Sequence, residues 1–506
     1  MGAGAASCLA SAQCSARPIS PSTGRGLTLC GVVSTSPLVK SCSRIVVNDL
    51  KFDASTASGI QAGAGTSMDD RFLSRQQSGI LQALMLVARG VSEREAVARV
   101  SASQPNLTVI RQHLLASVLE ITKEQDVLDR IVQSTLTDRN LGTFAQVLFR
   151  LVAYNAIRTN AREQLHGLEL AFRDIVPTDY ISRVEILLAT LVSPGNDSPL
   201  AGLGELERVS LETHHPKWWV EYCFKCFGRD RAIQLLSASP RPRYIRVNPF
   251  RNKGRTGLPP EAAQKLTGML TKVQGVPGMY ASSGSPSILT AFFAEGLFQV
   301  QDLASFLAVK AAEPKPGERV LDLCAAPGGK TSTMAQMMKN RGTIVSVDYS
   351  LNRMRTWKRE TARLGVKIAE PVIADATGPG VHGSFDLVLV DPPCSGTGVL
   401  DRNPRMKWNI SPQSLSWYSV IQRRLLDSAQ SLVSPTGRIL YCTCSVTLEE
   451  NEQVLSSFFR SHADFETKPV LKEFGSPGLR GFSDCRRFYP HRDRTAGYFI
   501  ARIQRI

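Results

Sequence analysis

No Asp or Glu occurs before Asp49. Ser, Ala, Gly, Thr and Cys fill that stretch, with Arg17, Arg25, Lys40 and Arg44 spread through it. This is the composition of an organelle transit peptide, and the lack of a compact apolar segment argues against a secretory signal. The small and hydroxylated residues favour a plastid (chloroplast stroma), with the mitochondrion second; a plain disordered tail is the alternative. No run of about 18 apolar residues appears, so no membrane span is expected. The eleven cysteines lack the paired spacing of a small disulfide scaffold, which points to a reducing compartment. Cys223 and Cys226 form a lone C-x-x-C with no second pair, and buried thiols are expected there, not a zinc site.

Acidic residues are also outnumbered over the whole chain. The formal net charge is +16, which suits a polyanionic partner such as nucleic acid, though a basic organellar protein would show the same excess. At 506 residues the chain should hold two or three domains.

Two glycine signatures are missing from the stretch that organises the chain, Val320 to Thr331. A phosphate-binding P-loop fails because Cys324 stands where its first glycine belongs, and no G-x-G-x-x-G dinucleotide turn is present. What is there is a buried strand, a Pro327-Gly328-Gly329 turn and a helix opening at Lys330. Such a turn leaves backbone N–H groups free at the carboxyl end of a parallel sheet. An S-adenosylmethionine (SAM) turn further requires an acid closing the next strand, to meet ribose hydroxyls, and a polar residue after the third, near adenine. Asp348 and Asp375 fill those places. A generic α/β turn without ligand remains the plain alternative.

Along the chain, residues 1–67 read as transit peptide and linker. Residues 68–200 read as an all-helical domain, with Ile80, Leu84, Leu114, Val118, Val147, Leu148 and Leu151 at helical spacing. Residues 201–312 form a linking segment and small RNA-binding subdomain. In it His214 and His215 read as a helix entry, and Arg241, Arg243, Arg246, Arg251, Lys253 and Arg255 as a phosphate-contacting patch, or else a solvated loop. Residues 313–506 alternate strands and helices, which predicts an α/β, Rossmann-type, doubly wound parallel sheet.

The fourth strand of that sheet ends in Asp391-Pro-Pro-Cys394, and the next in Cys442-Thr-Cys444-Ser. Two strand ends of one sheet therefore each present a thiol beside the cofactor pocket. Carbon 5 of a pyrimidine becomes nucleophilic once a thiolate adds to carbon 6, and can then take a methyl group. A carboxyl such as Asp391 can act at N3, and the base must be unstacked to reach the pocket.

These motifs, with Arg402-Asn-Pro-Arg-Met-Lys-Trp408, Gly296-Leu-Phe-Gln-Val-Gln-Asp302 and the Phe488–Arg502 segment, closely resemble the RsmB/NOP/Sun family of RNA cytosine carbon-5 methyltransferases. The resemblance implies a SAM-dependent enzyme forming 5-methylcytosine. In it Cys444 is the nucleophile and Cys394 assists product release. Cys324, Ala325, Ala326, Pro327, Gly328, Gly329 and Lys330 bind SAM together with Asp348, Asp375 and Asp391. The domain order looks most like the bacterial enzyme acting on small-subunit ribosomal RNA, whose helical domain is NusB-like and helps bind RNA. No metal, no membrane partner and a monomer are expected. Cys442 departs from the family, which usually has a small residue without a thiol there; it reads as a buried bystander or a competing nucleophile. A noncatalytic RNA-binding or ribosome-assembly factor, the same chemistry on transfer RNA, and metal binding by Cys324, Cys394, Cys442 and Cys444 are the alternatives.

Overall fold

The computed structural model describes residues 68–136, 140–158, 162–192, 202–239, 241–283 and 286–506. The transit-peptide segment and the linker at 193–199 lie outside the described residues.

Among the described residues the first domain is entirely helical, running from Met68–Ala88 to Thr178–Val192. The helix Thr143–Arg158 is its centre, with Ala145, Val147, Leu148, Phe149, Leu151, Val152 and Ala153 all buried. A helix apolar on most of its circumference must be surrounded by others. Leu114, Val118, Ile121 and Leu187 close that core. Ser92 caps the helix Glu93–Ser103 by accepting from Glu95 N, satisfying one of the amides that a helix start leaves open.

Three short helices follow, Glu205–Thr213, Lys217–Phe227 and Arg229–Leu236. They gather around Trp219, which stacks on Tyr222 at 5.1 Å. His214 ends the first of them in the left-handed region. Cys223 is buried in this cluster and Cys226 half-buried, both as free thiols.

Strands β1 (Arg243–Val247), β2 (Leu270–Lys272), β3 (Met279–Ser282) and β4 (Phe298–Val300) make an antiparallel sheet in the order β2-β3-β1-β4. Here the phosphate-patch expectation needs correction for Arg241 and Arg246, while Arg251, Lys253 and Arg255 are exposed. Arg241 is buried between Asp302 (2.6 Å) and Asp401 (2.9 Å), and Arg246 is 2% exposed. Both are internal braces. Arg251 spends its guanidinium on the last carbonyls of the helix Leu351–Leu364.

The catalytic sheet has nine strands: β5 (Arg319–Asp322), β6 (Thr343–Asp348), β7 (Ala369–Ile373), β8 (Phe385–Val390), β9 (Val433–Thr443), β10 (Phe465–Lys468), β11 (Ser476–Pro477), β12 (Arg486–Phe488) and β13 (Tyr498–Arg505). The run β9-β8-β5-β6-β7 is parallel, and the near-continuous apolar sequence of β8 reflects burial on both faces. The expected doubly wound sheet is present, and at the other edge it becomes antiparallel. There β13 pairs antiparallel with β9, and β10 and β12 pair antiparallel with β13. The helix Leu303–Ala312 packs under the sheet on Val320, Ile344 and Leu440.

Candidate active site

The groups at issue sit at the carboxyl ends of β5, β6, β7, β8 and β9, with Tyr498 joining them from the start of β13. After β5 the chain turns through Cys324, which is half-buried, then Ala325 and Ala326. Ala325 N donates to Val347 O (2.9 Å) and Ala326 N to Asp348 Oδ2 (3.3 Å), so the turn is stitched to β6. Pro327 is exposed. Gly328 has φ +103°, and a Cβ there would lie 3.1 Å from Trp357 Cδ1, so only glycine suits the position. The helix Gly329–Met337 starts at once. Its first amides have no carbonyl one turn back to bond, and they face the crevice where parallel strands end.

Asp348 is 2% exposed and fixed by Ser350 N (3.0 Å) and Arg353 Nη1 (3.1 Å). Asp375 is exposed and accepts from its own neighbour Thr377 through Oδ1. Asp322, at the end of β5, is buried, and Thr331 Oγ1 donates to its Oδ2 (2.7 Å). Its Oδ1 has no hydrogen-bond partner among the described residues. Free amides, a turn that excludes side chains and a carboxylate closing β6 fit SAM. Cys324 to Lys330, Asp348, Asp375 and Asp391 are the residues that would hold it. Bound there, SAM supplies an electrophilic methyl group.

Beside this turn, Asp391 closes β8. Lys330 Nζ donates to its Oδ2 at 2.5 Å. Burial works against the Lys330 charge, but Asp391, with Cys442 and Cys444 nearby, more than offsets it and holds the ammonium protonated. Tyr498 OH (3.4 Å) and Cys442 Sγ (3.6 Å) both donate to Asp391 Oδ1. Cys442 is fully buried, and burial with the adjacent carboxylate pushes its thiol well up. An enclosed thiol turned to Asp391 fits a buried bystander better than a competing nucleophile.

Cys394 and Cys444 are both half-buried, and their sulfurs lie 3.2 Å apart. The Cys444 contact and burial push the Cys394 thiol well up, and either sulfur can donate across the contact. Gly398 N donates to Cys444 O (2.9 Å), tying the two thiol-bearing loops together.

Sequence reasoning missed what holds these loops. Glu450, fully buried, accepts from Ser395 N (2.8 Å), Ser445 Oγ (2.6 Å), Thr447 Oγ1 (3.0 Å) and Gln422 Nε2 (3.0 Å), and from the Ser395 hydroxyl. Asn451 accepts from Thr443 Oγ1 (2.6 Å). The signal was present: Glu449-Glu450-Asn451-Glu452 follows the second thiol directly, set among hydroxyl residues.

A Rossmann-type sheet, a SAM turn and paired thiols on adjacent strand ends define a SAM-dependent methyltransferase. Residues 309–504 match the family model for 16S rRNA methyltransferase RsmB/F. The chain is 33% identical over 312 residues to the probable ribosomal RNA small subunit methyltransferase B of Bacillus subtilis, covering 59% of this chain and 68% of that protein. It is 33% identical over 353 residues to the mouse 28S rRNA (cytosine-C(5))-methyltransferase, spanning 65% of this chain but only 41% of the mouse protein. The crystal structure of PH0851, 28% identical, superposes with a TM-score of 0.74 over 85% of this chain and 99% of its own. The chain belongs to the RsmB/NOP/Sun family and is a SAM-dependent RNA (cytosine-5) methyltransferase.

Proposed function

We propose that the protein forms 5-methylcytosine in small-subunit ribosomal RNA of an organelle, through a transient bond between Cys444 Sγ and carbon 6 of the target base. The observation that carries this reading is the 3.2 Å approach of the Cys394 and Cys444 sulfurs beside the Lys330–Asp391 pair. Addition of the Cys444 thiolate places electron density on carbon 5. Asp391, fixed by Lys330, Tyr498 and Cys442, is the carboxyl placed to carry the proton at N3. After methyl transfer water takes the carbon 5 proton, the electron pair of that bond re-forms the 5,6 double bond, the sulfur–carbon 6 bond breaks to return the Cys444 thiolate, and the N3 proton goes back to Asp391. Cys394, in contact with Cys444, is the group placed to assist that release.

The all-helical domain before the catalytic sheet and the name of the Bacillus relative support small-subunit ribosomal RNA over transfer RNA. The acid-free first 48 residues support an organelle, with the plastid stroma ahead of the mitochondrion. The enzyme works as a monomer, without metal. No helix among the described residues is long and apolar enough to cross a membrane. Bisulfite sequencing of organellar RNA with and without the protein tests the substrate. One small-subunit cytosine should lose its methyl mark when the protein is removed; an unchanged ribosomal RNA alongside a lost mark on transfer RNA would move the assignment.

A further inference from the structure

Among the described residues Arg246 has no counter-ion. Its side chain extends from β1 of the antiparallel sheet and is buried to 2% exposure. Its Nε donates to Gln301 Oε1 (2.7 Å) and its Nη2 to Ser332 Oγ (3.0 Å), while Nη1 has no partner. No carboxylate bonds it, and the nearby Arg363 carries the same sign. Burial and Arg363 lower its pKa to about 9, so it is cationic at neutral pH. An uncompensated buried charge is costly, typically several kcal/mol even after relaxation.

The groups Arg246 touches show where that charge acts. Ser332 lies in the first turn of the helix that opens at Gly329. Ser332 Oγ (2.9 Å), Thr333 Oγ1 (2.9 Å) and Gln301 Nε2 (3.4 Å) all donate to Gly329 O. Thr333 Oγ1 also lies 3.0 Å from Gln301 Oε1, which joins these groups into one network with Arg246. Because a peptide is planar and trans, fixing the Gly329 carbonyl also fixes the Lys330 N–H, which points the opposite way. The other cations at the turn, Lys330 and Arg353, are already paired with Asp391 and Asp348. The only negatively charged group of SAM is the carboxylate of its methionine part.

We propose that Arg246 and Gln301, contributed by the antiparallel sheet, are positioning residues for the SAM carboxylate. They set the plane of the Gly329–Lys330 peptide and keep an unpaired guanidinium charge behind the turn. The antiparallel sheet thereby becomes part of the cofactor site.

The test is equilibrium binding by calorimetry, without RNA, so it is independent of which RNA is methylated. SAM is compared with decarboxylated SAM, which lacks only the carboxylate. Arg246→Met should weaken SAM about tenfold and change decarboxylated SAM less than about twofold, the first being about 1.4 kcal/mol. Arg246→Lys should restore most of the SAM affinity. Gln301→Glu, which gives Arg246 a counter-charge while keeping the side-chain shape, should weaken SAM in the same selective way. It carries the test if Arg246→Met does not fold. Equal losses for both ligands, or SAM binding unchanged in Arg246→Met and Gln301→Glu, would overturn the proposal.

Discussion

Asp322 is a carboxyl sealed from water at the root of the SAM turn. Burial, reinforced by Asp391 and Asp348, pushes it up to about 7 despite the hydrogen bond from Thr331. The folded protein therefore keeps a proton that the unfolded chain releases near its ordinary value of 3.8. Between those values the native state binds more protons, so stability falls as pH rises through that window. Asp322→Asn should remove this part of the slope, up to about 4 kcal/mol. Urea unfolding of both proteins at about pH 4 and about pH 7 checks it, and equal slopes would contradict the burial argument. A different residue pair behaves oppositely. Arg487 and Glu452 are almost fully enclosed, with Nε donating to Oε1 at 2.6 Å. Arg487→Met leaves Glu452 without a counter-charge, with only the Leu479 N–H (2.9 Å) still donating to it, and should cost about 3–5 kcal/mol, whereas adding Glu452→Leu should recover much of that loss. Urea midpoints of the single and double variants measure the difference.

At the level of elements, one segment joins the separate parts. It starts at the Cys394 loop and runs through the helix Pro404–Asn409. Trp408 Nε1 donates to Thr122 O (2.8 Å) and Arg405 N to Glu93 Oε1 (3.0 Å), both in the helical domain. Lys407 is buried against the end of the helix Glu205–Thr213, and burial with Lys123 nearby lowers its pKa to about 8. Asp401 pairs with Arg241, the residue leading into β1. Trp408→Ala should therefore release the helical domain. Calorimetry should show that domain melting in a separate, earlier transition while SAM affinity is retained. A single unshifted transition would mean the domains are held elsewhere. The parallel strands, the SAM turn and both thiols were legible in the sequence, because a glycine turn and strand-end motifs are local and their chemistry demands fixed residue types. The fates of Arg241 and Arg246 were not. A basic run reads alike whether its partners are phosphates or the distant Asp302, Asp401 and Ser332. The antiparallel edge was hidden for a related reason: β12 has three residues and β11 two, too few to show a period.

On the scale of the whole molecule, a sheet brings two cysteines fifty residues apart to 3.2 Å, and a buried acid among hydroxyls holds both loops in place. The helical domain and the antiparallel sheet press on that centre from outside, through Trp408 and Arg246 respectively. The central claim is that Cys444 bonds the base and Cys394 helps release it. It is tested most directly by denaturing electrophoresis and mass spectrometry of Cys394→Ala incubated with substrate RNA and SAM. An adduct that survives denaturation is expected, mapped to Cys444 and absent when Cys444→Ala is added, with SAM binding intact in both variants. Normal turnover by Cys394→Ala with no adduct, or methylation persisting in Cys444→Ala, would contradict it.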